Sequence, residues 1–143
     1  VKRDRIDLLL ALLLFLTICV ASLPFSDAEL LSPDASGYLD MGRNLFSGKG
    51  PVISYNLCQF WQKKYYPFLP YTHPIFPIVA GLILPWGGVR AVIDFTIVLL
   101  AINCVMLYTI VRLYADYLSG FLITLFMGFS PLVVLPAIFP WTE

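Results

Sequence analysis

The chain has 143 residues and no formal net charge, nine Lys+Arg standing against nine Asp+Glu. Hydrophobic residues make up 59% of it and charged ones only 13%, where a soluble domain carries about a quarter, and the mean hydropathy is +0.84. This composition predicts a protein solvated by lipid. It excludes nucleic acid as a partner, because the charges sit in clusters between apolar runs and leave no basic stripe for a phosphate backbone. Cys19, Cys58 and Cys104 are odd in number and widely spaced, so they form neither a disulfide framework nor a zinc motif.

Residues Leu8 to Ser26 are uncharged and mostly aliphatic, close to the roughly 20 residues that cross a hydrocarbon core of about 30 Å. They predict a first transmembrane helix at about 7–25. Lys2, Arg3 and Arg5 precede it, which places the N-terminus in the cytoplasm and the segment after Pro24 outside. A cleaved signal peptide ending near Val20, Ala21 and Ser22 is the rival reading; the length of the run and the apolar segments that follow favour the span.

The extracytoplasmic loop that follows, 26–90, carries in its part up to Thr72 acids at Asp27, Glu29, Asp34 and Asp40 and bases at Arg43, Lys49, Lys63 and Lys64, together with many aromatic side chains. That is more polarity and more aromatic surface than a connector needs. Within it, Ser32-Pro33-Asp34 reads as a helix start, with Ser32 as N-cap and Pro33 at the first helical position. Ala35, Tyr38, Leu39, Gly42, Leu45 and Phe46 then recur on one helical face, and Gly48 supplies the stop. The spacing predicts an amphipathic helix over 33–47 on the outer membrane surface. Asp34 sits at its positive end, where the dipole favours an ionised carboxylate; it serves there as a base or cation holder, or simply stabilises the helix start. His73, between Thr72 and Pro74, is placed to meet a lipid phosphate at headgroup level. Lys63 and Lys64 serve equally well as interfacial anchors.

Three apolar stretches follow. The first, with Pro74, Pro77 and Pro85, predicts an interfacial or juxtamembrane helix at 74–87 rather than a crossing one. The others predict transmembrane helices at about 91–112 and 117–139, hinged at Arg112 to Asp116 on the cytoplasmic side. Parity then returns Glu143 to the outer face; a full crossing by 74–87 would put it in the cytoplasm. Asp94 near the start of the second of these helices is expected to pair with Arg90 one turn earlier, and Asn103 to bond a neighbouring helix. The expected fold class is an all-α membrane protein with three transmembrane helices plus extracytoplasmic amphipathic and juxtamembrane helices.

Taken in order, four short motifs resemble the N-terminal portion of integral-membrane glycosyltransferases of the GT-C fold, above all the protein mannosyltransferase and lipid A aminoarabinose transferase branch. They are Asp34-Ala35-Ser36-Gly37-Tyr38-Leu39-Asp40-Met41-Gly42-Arg43-Asn44-Leu45 with Gly48-Lys49-Gly50, then Thr72-His73-Pro74-Ile75-Phe76-Pro77, then Trp86-Gly87-Gly88-Val89-Arg90-Ala91, and Phe129-Ser130-Pro131-Leu132 followed by Thr142-Glu143. The resemblance runs from about residue 5 to the end. Two departures stand out: a single Asp34 where many relatives have adjacent acids, and Ile75 in place of the family's second proline.

The resemblance implies sugar transfer from a polyprenyl-phosphate donor to a glycan, lipid or protein acceptor on the extracytoplasmic side of a bacterial inner membrane. It carries Asp34 over as the general base, with Tyr38, Arg43, Lys63, Lys64 and His73 binding substrate and the cations among them facing the departing phosphate. Glu143 would orient the acceptor, or hold a divalent cation together with Asp34; two acids facing one cavity permit a metal without requiring one. Relatives have many more spans, so the chain is expected to be an N-terminal fragment, inactive alone. The competing expectations are a non-catalytic membrane scaffold or assembly subunit with an aromatic binding loop, and a transporter fragment, to which Asp94 and the proline-broken segment point.

Overall fold

The computed structural model describes residues 2–25, 33–54, 66–67 and 75–130. They are mostly helical: α1 (Lys2–Ser22), α2 (Pro33–Phe46), α3 (Ile75–Val111) and α4 (Tyr117–Gly128), with a two-stranded antiparallel pair of β1 (Val52–Ile53) and β2 (Tyr66–Pro67). Two of these helices, α1 and α3, are long and apolar enough to cross a membrane by length and composition. The twelve described residues of α4 are too few to do so, and the remainder of the span expected at 117–139 lies outside the described residues.

The chain divides into two compact units, 1–26 with 94–138 and 27–93 with 139–143. In the first, α1 forms because nothing between Ile6 and Ser22 interrupts a run of good helix formers; a 3-10 turn at Leu23–Phe25 containing Pro24 ends it. Leu14 and Ile18, one turn apart, pack with Leu100, Ala101, Cys104 and Tyr108 of α3, and Phe121 and Leu125 of α4 close over them. Gly128 permits that closure, since a Cβ there would lie 2.8 Å from Ile18 Cδ1 and 3.0 Å from Cys104 Sγ. Leu8, Leu9, Leu12, Leu13, Leu16 and Val20 of α1 remain exposed, an apolar area that water would penalise and lipid does not.

The turn between α3 and α4 is held at both ends. Arg112 donates through Nε to Asp7 Oδ1 (2.6 Å), through a terminal nitrogen to Asp7 Oδ2 (3.0 Å), and through the other to the Ala115 carbonyl (2.6 Å). The Tyr108 hydroxyl donates to the same Asp7 oxygen at 2.8 Å. This fork-to-fork geometry ties the start of α1 to the end of α3 and holds the Arg112 guanidinium even more firmly protonated than usual, chiefly through its hydrogen bond to Asp7. Asp116 caps α4 by accepting from Leu118 N and Ser119 N, each at 3.0 Å, and from Ser119 Oγ at 2.7 Å.

In the second unit, α2 packs on the first arm of α3, residues 75–86. Leu39, Ala80 and Val92 are buried together, with Phe76, Ile83 and Leu84 against them. The α3 helix is broken at Gly87 and Gly88, and Gly88 at φ 66, ψ −155 adopts backbone that only glycine takes readily. Helix 75–86 and helix 89–111 therefore stand where the sequence predicts the juxtamembrane helix and the following span. The pair expected between Arg90 and Asp94 does not form. Arg90 is exposed in the first turn after the break, while Asp94 Oδ1 is buried with no hydrogen-bond partner among the described residues. The four-residue spacing allowed the contact, but Asp94 turns one carboxylate oxygen inward while Arg90 stays at the surface.

Candidate functional site

The candidate site is built on α2. Proline at its first helical position presets φ and lacks only an N–H the helix would leave unpaired, so the helix begins at Pro33 with Asp34 in its first turn. The C-terminus is a Schellman turn: Lys49 N donates to the Asn44 carbonyl (3.0 Å) and Gly48 N to the Leu45 carbonyl (3.3 Å), with Gly48 at φ 80. Between these ends the helix presents three different faces.

One face is core. Tyr38 is only 4% exposed; with Met41 it packs on Ile53 of β1, and its ring meets Phe76 edge-on with centroids 5.9 Å apart. Its aromatic body therefore belongs to the packing of the unit, and little of it is open to a substrate.

A second face is a polar network that sequence reasoning missed. Asn44, 2% exposed, donates from Nδ2 to the Val52 carbonyl (2.9 Å), Ser54 Oγ (2.8 Å) and Asp40 Oδ2 (3.2 Å). Asp40 accepts from the Ser54 backbone N–H and hydroxyl. These bonds fold the chain after Gly48 back onto α2. The spacing of Asp40 and Asn44, one turn apart, was legible as a shared face; nothing in the sequence marks Ser54 as their partner.

The third face is the one with chemical capacity. The backbone of α2 meets that of α3 so closely that a Cβ on Gly42 would stand 2.6 Å from the Pro77 carbonyl oxygen, and one on Gly81 2.6 Å from the Gly42 carbonyl oxygen. Beyond this crossing the helices leave a groove of about 310 Å³ lined by Arg43, Phe46, Ser47, Gly81, Leu84, Pro85 and Gly88. Its walls are apolar apart from one guanidinium and one hydroxyl, and the Ser47 hydroxyl donates to the Asn44 carbonyl at 3.1 Å. The lining thus combines hydrocarbon surface at Phe46 and Leu84 with a single cation at Arg43.

Of the residues singled out from sequence, the structure thus places Asp34, Tyr38 and Arg43 on one helix. Positions 34 and 43 are nine residues apart, about 13 Å along the axis, so the two backbone positions stand at opposite ends of the helix. Lys63, Lys64, His73 and Glu143 lie outside the described residues. Among the described residues no three His, Cys, Asp or Glu side chains come together as a metal site, and Glu143, the expected companion of Asp34 on a cation, is not one of them. No family model, curated protein or solved structure matches this chain.

Proposed function

We propose that this chain is a portion of a membrane glycosyltransferase that takes a sugar from a polyprenyl-phosphate donor and transfers it to a glycan, lipid or protein acceptor on the extracytoplasmic side. The groove at Arg43 supports the reading best. A polyprenyl phosphate cannot leave the bilayer, so its enzyme needs an apolar trench ending in a cation at headgroup depth, and the lining of this groove has that chemistry. The order of motifs along the chain supports it independently, as does the succession along the chain of a membrane-length α1, then α2, then a second membrane-length helix.

In this mechanism Arg43 balances the charge that grows on the phosphate as the bond from the anomeric carbon to phosphate oxygen breaks. Asp34 takes the proton of the acceptor hydroxyl as its oxygen attacks that carbon. Lys63, Lys64 and His73 supply further positive charge or donors for the phosphate, Tyr38 supports the helix that carries the site, and Glu143 orients the acceptor or shares a divalent cation with Asp34. The protein sits in a bacterial inner membrane with its N-terminus in the cytoplasm and three spans in this portion, the third continuing from α4.

The test is transfer from a panel of labelled polyprenyl-phosphate sugars by membranes carrying the full reading frame that encodes this chain. Asp34→Asn should lower the rate by about 10²- to 10⁴-fold, the usual worth of a positioned general base, at unchanged protein level. Arg43→Gln should weaken donor use about tenfold or more, as expected for loss of a charged hydrogen bond. Absence of transfer from every donor by the wild type would refute the proposal and favour the scaffold; full activity of Asp34→Asn would reduce Asp34 to a helix-start residue.

A further inference from the structure

The second unit contains a break in α3 that has little of its own to hold its angle. Pro85 has no N–H to give the Gly81 carbonyl, and Gly87 and Gly88 leave the helical φ/ψ region altogether. At Gly88, nothing beyond its chain neighbours lies within 4 Å of where a Cβ would stand, so no side chain crowds the break itself. The bend is nevertheless sharp. A Cβ on Gly87 would lie 2.8 Å from the Ala91 Cβ, where Cβ atoms four residues apart in a regular helix stand about 5–6 Å apart. Proline and paired small residues are ordinary places for a helix to kink, but glycine permits a range of angles and selects none.

Contacts made elsewhere select the angle. The crossing at Gly42 and Gly81 fastens α2 to helix 75–86 by direct backbone contact. Three residues earlier on α2, Leu39 is buried in one cluster with Ala80, which precedes the break, and Val92, which follows it. Val89, in the first turn after the break, packs against the same cluster. Helix α2 is thus fixed to the segment before the break and shares a core with the segment after it. All of these residues belong to the second unit.

We propose that α2 is a strut that sets the bend at Gly87 and Gly88, and that Leu39 is the side chain through which it acts. A close-packed cluster transmits displacement from one segment to the next, whereas the two glycines resist little. Truncating Leu39 leaves a cavity in the core that the two segments share, and the bend then relaxes toward a straighter path. The effect reaches the groove beside Arg43, because that groove takes its lining from α2 and from Gly81, Leu84, Pro85 and Gly88. Whatever moves α2 therefore changes the bend and the width of the groove together. The inference is independent of the sugar-transfer reading, since it concerns the packing around the break and not what the groove holds.

The test is a distance measurement on the protein of the full reading frame in lipid nanodiscs, with its own cysteines replaced. Spin labels go on cysteines at Ile75 and Arg90, which are exposed and stand on either side of the break. A straight helix would separate the two backbones by about 22 Å, a span that pulsed spin-label methods read. The wild type should give one narrow distribution. Leu39→Ala and Val92→Ala should each broaden it and lengthen its mean, while the volume-conserving Leu39→Met keeps it narrow. Hydrogen exchange of the α2 amides is followed in the same samples. Val92→Ala leaves the crossing at Gly42 untouched, so its α2 amides should stay protected while the bend relaxes. Wild-type distances in both truncations would overturn the proposal, because the break would then hold its own angle. So would relaxation confined to Leu39→Ala and accompanied by loss of α2 protection, which would mean that α2 had come away as a whole.

Discussion

Gly42→Ala tests the geometry on which the candidate groove depends. The new methyl carbon would stand 2.6 Å from the Pro77 carbonyl oxygen and 2.9 Å from Gly81 N, where ordinary contact begins at 3.4 Å. The helices must therefore part by about 0.8 Å, because both obstacles are backbone and no rotamer change can relieve them. A gap of that order forfeits a quarter to a half of each affected van der Waals contact, and the affected layer is Leu39 and Ala80 with Ile83 and Leu84. Overpacking of this kind costs about 1–3 kcal/mol, and a site walled by backbone belongs at the upper end. Alanine returns about 1 kcal/mol through its better helix propensity. The net loss is about 2 kcal/mol, or roughly a 30-fold rise in the opening equilibrium of α2. Hydrogen–deuterium exchange of the α2 amides between Tyr38 and Asn44, measured in lipid nanodiscs, reads this directly, and Gly42→Leu should accelerate it further. Exchange that is unchanged or slower in Gly42→Ala would show that α2 and helix 75–86 do not cross at Gly42, and the groove beside Arg43 would lose its basis.

The remaining predictions concern charge. Hydrogen bonds from the Ser119 hydroxyl first, then from the Ser119 and Leu118 backbone, hold the Asp116 carboxyl below the usual value of 3.8. Its folded pKa lies under its unfolded one, so its stabilisation is complete above that usual value and is lost as pH falls through the depressed one. Exchange at the first turn of α4 should rise on acidification through that window in the wild type and stay flat in Asp116→Asn, which still caps; equal profiles would remove Asp116 as the cause. Asp7 and Arg112 share two hydrogen bonds 105 residues apart in sequence, so the double variant Asp7→Asn with Arg112→Gln should unfold in detergent no more easily than the worse single one. Additive losses would show that the two act separately. Among the described residues Asp94 Oδ1 is buried with no hydrogen-bond partner, so Asp94→Asn should raise the yield of membrane-inserted protein, an amide being less costly than a carboxylate in an apolar helix; a lower yield would reveal a partner for the carboxylate beyond the described residues.

The limits of α2 could be read from the sequence because each is a local event. Pro33 presets the first turn and Gly48 takes the left-handed turn that closes the last one, and neither needs a distant residue. The same holds for the break at Gly88, whose φ and ψ demand glycine, and for α1 and α3, whose apolar runs specify membrane-length helices by length and composition. Partner choice was not readable. Arg112 takes Asp7 rather than a nearer acid, Asp40 and Asn44 take Ser54, and Asp94 takes no bond from Arg90 although the spacing suited it. Tyr38 fits an amphipathic stripe equally well as ligand contact or as core, and only the arrival of Phe76 and Ile53 decided for the core. Gly42 and Gly81 carry no side chain to signal that two helices cross there. Periodicity and capping act over one or two turns and are written in adjacent residues, whereas a contact between elements depends on which surfaces burial leaves facing each other, and that is settled only once the chain is folded.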